Sequence, residues 1–283
     1  NRPIAPFLDL LRDHGVLSLT GTAFPLHLQG QLAAGHFAFP GDISSQIVTG
    51  LLFALPLLPD DSEIRWTTPL ESSGYVDLTI QVLRHFGIHI DSVQGGFDVA
   101  GRQKYVSNAS IEPEIDWSGA AFWLAMNALG SSIKLPKLNL ESAQPDSAIV
   151  EILKHIGEDI DISQCPDSFP VLAVVAAATN KVTHFTNVKR LRYKESDRIA
   201  AMADMLNTLG VKTTESENDF TVFGQTVPLK GGSIIRTYDD HRIAMAAAVA
   251  ATVADAPLTI DNSQCVSKSY EGFWKQFEDL DTL

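Results

Sequence analysis

The sequence predicts an α/β protein of repeated helix and strand units, and three observations carry that expectation. Two kinds of helical segment alternate along the chain, strand-like runs separate them, and glycines close the second kind at matching places.

The first kind of helix is apolar nearly all round. It occurs as ISSQIVTGLLFALPLL from Ile43, IDWSGAAFWLAMNALG from Ile115, CPDSFPVLAVVAAATN from Cys165 and YDDHRIAMAAAVAATV from Tyr238. Each opens on Asp or Ser suited to an N-cap and continues in Ala, Leu and Val, the pattern of a helix buried on most sides with a polar tip. The second kind is amphipathic: RPIAPFLDLLRDHG, YVDLTIQVLRHFG, SAIVEILKHIG and SDRIAAMADMLNTLG. Gly15, Gly87, Gly157 and Gly210 stand where a left-handed C-cap favours glycine, and β-branched runs follow. A last member, SYEGFWKQFEDL, lacks the glycine. The runs SEIRWT, SSIKLP, KVTHFT and APLTID lie between an apolar helix and the next amphipathic one and are expected to be strands. The repeat is therefore helix, strand, helix, glycine, strand pair. Counted this way, the first helix lacks an apolar partner before it and the last lacks strands after it, so both ends are expected to interrupt a unit.

At 283 residues and 45% hydrophobic, the chain can bury one large or two ordinary cores. Two are expected, with the crossing after Ala109, giving residues 1–110 and 111–283. The 21 Lys+Arg against 34 Asp+Glu argue against binding nucleic acid or an anionic membrane. Any anionic ligand must then be held by a local cluster. Cys165 and Cys265 have no metal or disulfide spacing, and the longest apolar run, from Ile243 to Val253, is too short to span a bilayer. A cytoplasmic enzyme is expected.

The densest chemical signal is NVKRLRYKESDR, with Lys189, Arg190, Arg192, Lys194 and Arg198 concentrating positive charge in one place. With a helix beginning near Ser196, Lys194 precedes its N-terminus and Arg198 lies in its first turn, where free backbone N–H groups already favour an anion. Arg198 suits a bidentate grip on carboxylate or phosphate, and Lys194 a point charge. Other helix tips carry related groups: Ser44, Ser45 and Gln46 on one, Asp167 as a candidate base on another, and His241 and Arg242 after Asp239 and Asp240 on the last. Each serine or aspartate alone reads as an N-cap, but an arginine beside a histidine at the head of an apolar helix is costly without a partner. Arg2 and Lys268 stand just before amphipathic helices. No dinucleotide fingerprint, P-loop, nucleophile elbow or zinc-protease motif occurs, which leaves acid–base chemistry on bound anions.

Lys194 to Arg198 (KESDR), Asp239 to Met245 (DDHRIAM), Ser44 to Gln46 (SSQ) and Asn1 to Leu11 (NRPIAPFLDLL) resemble, in order along the chain, the 3-phosphoshikimate 1-carboxyvinyltransferase (EPSP synthase) family. The resemblance implies an inside-out α/β barrel of two lobes built from βαβαββ units, residues 1–110 being the remainder of the first lobe and 111–283 the C-terminal lobe. It implies transfer of the enolpyruvyl group of phosphoenolpyruvate to the 5-hydroxyl of shikimate 3-phosphate through a tetrahedral intermediate, with release of phosphate and no metal or organic cofactor. By the same resemblance Ser44, Ser45, Ser72 and Lys194 hold shikimate 3-phosphate, Gln46 bridges both substrates, and Arg2, Arg198, Arg242 and Lys268 surround phosphoenolpyruvate. Asp167 binds the 5-hydroxyl as its base, and Glu195 handles the proton at the enolpyruvyl methylene. Arg190 stands where some members have asparagine. The family's opening lysine segment and NAGT-type loop, roughly the first quarter of the enzyme, are not in this sequence, and that N-terminal segment is the expected partner besides the two substrates. Two alternatives stay open: a fragment that binds without turnover, and the related UDP-N-acetylglucosamine enolpyruvyl transferase.

Overall fold

A computed structural model describes residues 4–22, 24–107 and 112–280, and its elements follow the predicted alternation. The chain divides into two units, Arg2–Pro113 and Glu114–Leu283. The expected crossing at 110/111 lies outside the described residues.

In the N-terminal unit, helix α1 (Ala5–Asp13) runs into a hairpin of β1 (Val16–Ser18) and β2 (Leu28–Gly30). Gly15 joins them at φ 90°, and a Cβ there would meet the Gln31 carbonyl oxygen at 2.8 Å, so the turn requires glycine. Next come β3 (His36–Phe39), α2 (Ser45–Ala54), β4 (Ser62–Trp66), α3 (Ser73–His85), β5 (Asp91–Val93) and β6 (Gly96–Val99). They form a sheet of order β3-β4-β6-β5. The helix between β3 and β4 makes that pair parallel, and the short connection between β5 and β6 makes theirs antiparallel. Phe37, Phe39, Ile64, Phe97 and Val99 face the core beneath α2 and α3. Helix α2 is less buried than its composition suggests. It packs on α3 and buries Ile47, Val48, Leu51 and Leu52, while Phe53 remains 46% exposed.

The C-terminal unit repeats the pattern. After α4 (Trp117–Ala128) and α5 (Ile149–Ile152) come β7 (Asp159–Asp161), α6 (Phe169–Ala177), β8 (Val182–Thr186), α7 (Arg198–Thr208), β9 (Lys212–Glu215) and β10 (Asp219–Phe223). The sheet order β7-β8-β10-β9, parallel and then twice antiparallel, matches that of the first unit strand for strand. A third copy begins with β11 (Ile234–Ile235), α8 (His241–Ala251) and β12 (Thr259–Ile260), the two strands again parallel, and ends in α9 (Phe273–Asp279). Helices α4, α6 and α8 pack on one another as the centre of this unit. Every residue of α6 is buried, the result its uniform apolar composition requires.

Two local expectations fail. SSIKLP, residues 131–136, forms no strand: its backbone is tied to α4 instead, where Asn127 accepts from the Ile133 N–H and donates to the Ile133 carbonyl. The helix predicted in SAIVEILKHIG is one α-helical turn flanked by 3-10 turns, and only its Ile149 is buried among those four residues.

Phe169 sits edge-on to both Phe185 and Phe220 and so joins α6 to the sheet. Phe169→Ala is expected to cost about 3–5 kcal/mol in urea unfolding, through lost burial and an unfilled cavity.

Candidate active site

The polar tips of α6 and α8 follow the C-terminal ends of the parallel strands β7 and β11, the usual position for ligand-binding groups in α/β architecture. Asp167 lies in the turn Pro166–Ser168 that leads into α6. Asp240 caps α8 by accepting the Arg242 N–H, and two successive left-handed residues, Tyr238 and Asp239, turn the chain sharply into it. Asp197 caps α7 by accepting the Ile199 and Ala200 N–H groups, so the helix starts at Arg198 and not at Ser196.

Three cations from different segments converge on the Asp167 carboxylate. Arg198 Nη1 donates to Oδ1 at 2.7 Å, Lys194 Nζ lies 3.2 Å from the same oxygen, and Arg242 Nη2 lies 3.1 Å from Oδ2. Arg242 also donates to the Asp167 carbonyl, and its buried Nε has no hydrogen-bond partner among the described residues. Burial by itself raises the Asp167 carboxyl, but Arg242, Lys194 and Arg198 together outweigh it and hold the group well below the usual carboxylate range. Lys194 is pushed down by burial, an effect Asp167 partly offsets and Arg198 and Arg190 reinforce. Arg190 therefore acts on this site electrostatically.

Arg198 is only 1% exposed, and three carboxylates share it. Besides Asp167, Glu195 accepts from Nη2 at 2.7 Å and Asp240 from Nε at 2.9 Å. Ser196 Oγ also donates to Asp240. Burial favours the neutral forms of Arg198 and Asp240, but charge attraction prevails: Asp167, then Asp240 and Glu195, hold Arg198 above a free guanidinium, and Arg198 holds Asp240 below a free carboxyl. His241 is lowered first by burial and then by Arg242, and its Nδ1 has no hydrogen-bond partner among the described residues. Lys268 reaches the same helix tip, donating to the Asp239 carbonyl and carboxylate at 3.0 and 2.7 Å, with Asn262 holding the other carboxylate oxygen.

The predicted basic cluster is divided by this arrangement. Arg192 turns to Asp197, Glu215 and the Ser216 carbonyl, and Lys189 to Glu217, whereas Lys194 and Arg198 contact Asp167. Asp167, Lys194, Glu195, Arg198 and Arg242 come together as one network, with Lys268 on the Asp239 side of the α8 tip. Ser44, Ser45, Gln46 and Ser72 belong to the N-terminal unit. Ser44 caps α2 through the Gln46 N–H, Ser45 opens the helix, and Ser72 precedes α3, buried and left-handed at φ 55°. Arg2 lies outside the described residues. Asp240 and Ser196 were not predicted as site residues. The doubled acid before Arg242 was the available signal for Asp240, and nothing local marked Ser196.

Comparison with known proteins decides the family. The model of EPSP synthase (3-phosphoshikimate 1-carboxyvinyltransferase) matches residues 1–161 and 157–277. The chain belongs to the EPSP synthase family. It is 41% identical over 300 residues to a 3-phosphoshikimate 1-carboxyvinyltransferase of Clostridium kluyveri, covering 99% of this chain and 70% of the relative. It is 44% identical over 278 residues to one of Clostridium acetobutylicum, covering 92% and 64%. An EPSP synthase structure from Acinetobacter baumannii shares the fold, with a TM-score of 0.78 at 24% identity, over 99% of this chain and 70% of that one. The enolpyruvyl transferase NikO of Streptomyces tendae is also similar in fold, with a TM-score of 0.75 at 15% identity, over 99% of this chain and 72% of that one. The expected inside-out α/β architecture is thus the family's own. The family's function is a transferase step of the shikimate pathway, and the named relatives do not favour the UDP-sugar alternative. No helix among the described residues is long and apolar enough to cross a membrane.

Two outcomes follow from the titration environment. Cys165 is buried, and that burial, reinforced by the charges of Asp146, Asp161 and Asp167, pushes its thiol up to about 12. It is expected to resist iodoacetamide at pH 8 in the folded protein and to react once unfolded, as peptide mass spectrometry can show. The depressed carboxyls contribute stability that is complete above the ordinary Asp value of about 3.9 and is lost as pH falls through their folded values. Urea unfolding is therefore expected to show stability falling below about pH 4, less steeply in Asp167→Asn, which lacks one such group.

Proposed function

We propose that this chain takes part in enolpyruvyl transfer from phosphoenolpyruvate to the 5-hydroxyl of shikimate 3-phosphate, in the cytoplasm, with its C-terminal unit supplying the reacting groups. The observation that carries this reading is the Asp167 carboxylate ringed by Lys194, Arg198 and Arg242 at the tip of a buried helix. Such a cluster has a base for a hydroxyl and fixed positive charge for carboxylate and phosphate in contact with one another.

In this reading Arg198, Arg242, Lys268, Arg2 and Gln46 hold phosphoenolpyruvate, while Ser44, Ser45, Gln46, Ser72, Lys194 and Asp167 hold shikimate 3-phosphate. Asp167 accepts the proton of the 5-hydroxyl as its oxygen bonds to C2 of phosphoenolpyruvate, and the methylene carbon takes up a proton. Loss of a proton from that carbon and cleavage of the C2–O bond then release phosphate and leave the enolpyruvyl ether. Glu195, bound to Arg198 and adjacent in sequence to Lys194, is assigned the proton exchange at that carbon. Substrate anions that draw Arg198 and Arg242 away from Asp167 strengthen it as a base, because those cations are what depress it. Preorganised charge supports the transfer because it needs little rearrangement as charge develops.

Isothermal titration with shikimate 3-phosphate tests the assignment. Ser44→Ala and Lys194→Ala are each expected to weaken binding on the order of tenfold or more, the worth of a hydrogen bond to a charged group. Equal binding by wild type and both variants would overturn it. Release of inorganic phosphate from the two substrates together separates transfer from binding alone.

A further inference from the structure

The five N–H donors of a guanidinium lie along distinct edges, and in Arg198 these edges have different kinds of partner. The side edge, Nε with Nη2, faces Asp240 at 2.9 and 3.4 Å. The end edge, Nη1 with Nη2, faces Asp167 and Glu195, each at 2.7 Å. The end edge is the one that matches a carboxylate or phosphate oxygen pair arriving from outside.

The three carboxylates differ in burial and in how rigidly the backbone holds them. Asp240 is fully buried and holds four donors: Arg198 Nε and Nη2, the Ser196 hydroxyl and the Arg242 backbone N–H. Turning it away would uncap α8 and release the side edge of Arg198. Glu195 lies outside any helix, its side chain is 35% exposed, and a longer chain of rotatable bonds connects its carboxylate to the backbone. Asp167 is 24% exposed, but Lys194 and Arg242 hold it in place independently of Arg198.

We infer that Asp240 is the positioning residue for Arg198, an anchor that keeps the guanidinium's side edge while ligand binds, and that Glu195 is the counter-ion an incoming anion displaces from its end edge. This rests on the reading that the site takes phosphoenolpyruvate. It makes the acid before His241 part of the binding machinery without touching substrate. It also gives Glu195 two consecutive tasks: as a carboxylate it neutralises Arg198, and once displaced it takes up a proton from water and passes that proton to the bound ligand.

The test has one arm that needs no ligand. In protein labelled with 15N-arginine, the Arg198 Nε–H resonance, assigned by its loss in Arg198→Lys, is expected to exchange slowly with water in wild type and in Glu195→Gln. In Asp240→Asn it is expected to exchange fast. In the second arm, calorimetry with phosphoenolpyruvate in the presence of shikimate 3-phosphate is expected to show Asp240→Asn weakening binding on the order of tenfold or more. Glu195→Gln is expected to bind at least as tightly as wild type. If Asp240→Asn does not fold, Asp240→Glu keeps the charge, displaces it by one methylene and is expected to lose the same protection. An Nε–H as protected in the Asp240 variant as in wild type overturns the anchor. Glu195→Gln weakening phosphoenolpyruvate as much as the Asp240 variant overturns the exchange. A wild-type protein that binds no phosphoenolpyruvate overturns the functional reading and the exchange together, and leaves the anchor to be decided by the first arm.

Discussion

The C-terminal unit depends on one ion network, the Arg198 guanidinium held among Asp167, Glu195 and Asp240. Removing one partner of such a buried pair typically costs about 3–5 kcal/mol, because a charge is left in a place water cannot reach. Here the consequence extends beyond one pair. Asp167 stands at the tip of α6, Asp240 caps α8, and Arg198 is the first residue of α7, so a single side chain sets the mutual placement of three helix N-termini. Arg198, Lys194 and Arg242 balance the three acids charge for charge. A protein of net charge -13 thereby keeps a locally neutral site whose cations an anionic ligand can recruit.

The scaffold explains why these groups gather at helix tips. A strand, a buried helix and a parallel return strand recur, and each such unit directs a helix N-terminus to the end where the preceding strand finishes. A helix enclosed on most sides cannot carry charge along its length, so polar residues are confined to its first turn. There they cap the backbone and meet the groups of neighbouring tips. Asp116 on α4 does only the first, accepting the Ser118 and Gly119 N–H groups, whereas Asp240 does both. Repetition of one supersecondary unit thus supplies equivalent tips, and their different side chains separate structural caps from site residues.

Much of this could be read from local chemistry. Uniform Ala, Leu and Val marked α6 and α8 as buried, because no face of such a helix can be left to water. Gly15, Gly87, Gly157 and Gly210 marked helix ends, and all four have positive φ, a conformation set within a few residues of chain. Ser44, Asp116, Asp197 and Asp240 cap through N–H groups two or three residues ahead, which is equally local. Motifs such as KESDR and DDHRIAM carried the resemblance to the family that the family model and the relatives show.

Choices among partners could not be read in the same way. Lys189, Arg190, Arg192, Lys194 and Arg198 look alike as a charge run, yet Arg192 pairs with Glu215 and Arg198 with Asp167 and Asp240, contacts 23, 31 and 42 residues apart. Residues 131–136 have the composition of a strand and form none, because Asn127 of α4 takes the Ile133 backbone groups instead. Hydrophobic pattern, caps and turns are written within a turn or two of backbone, so sequence alone settles them. Which acid neutralises which base depends on how separate segments pack, and that is a property of the folded chain.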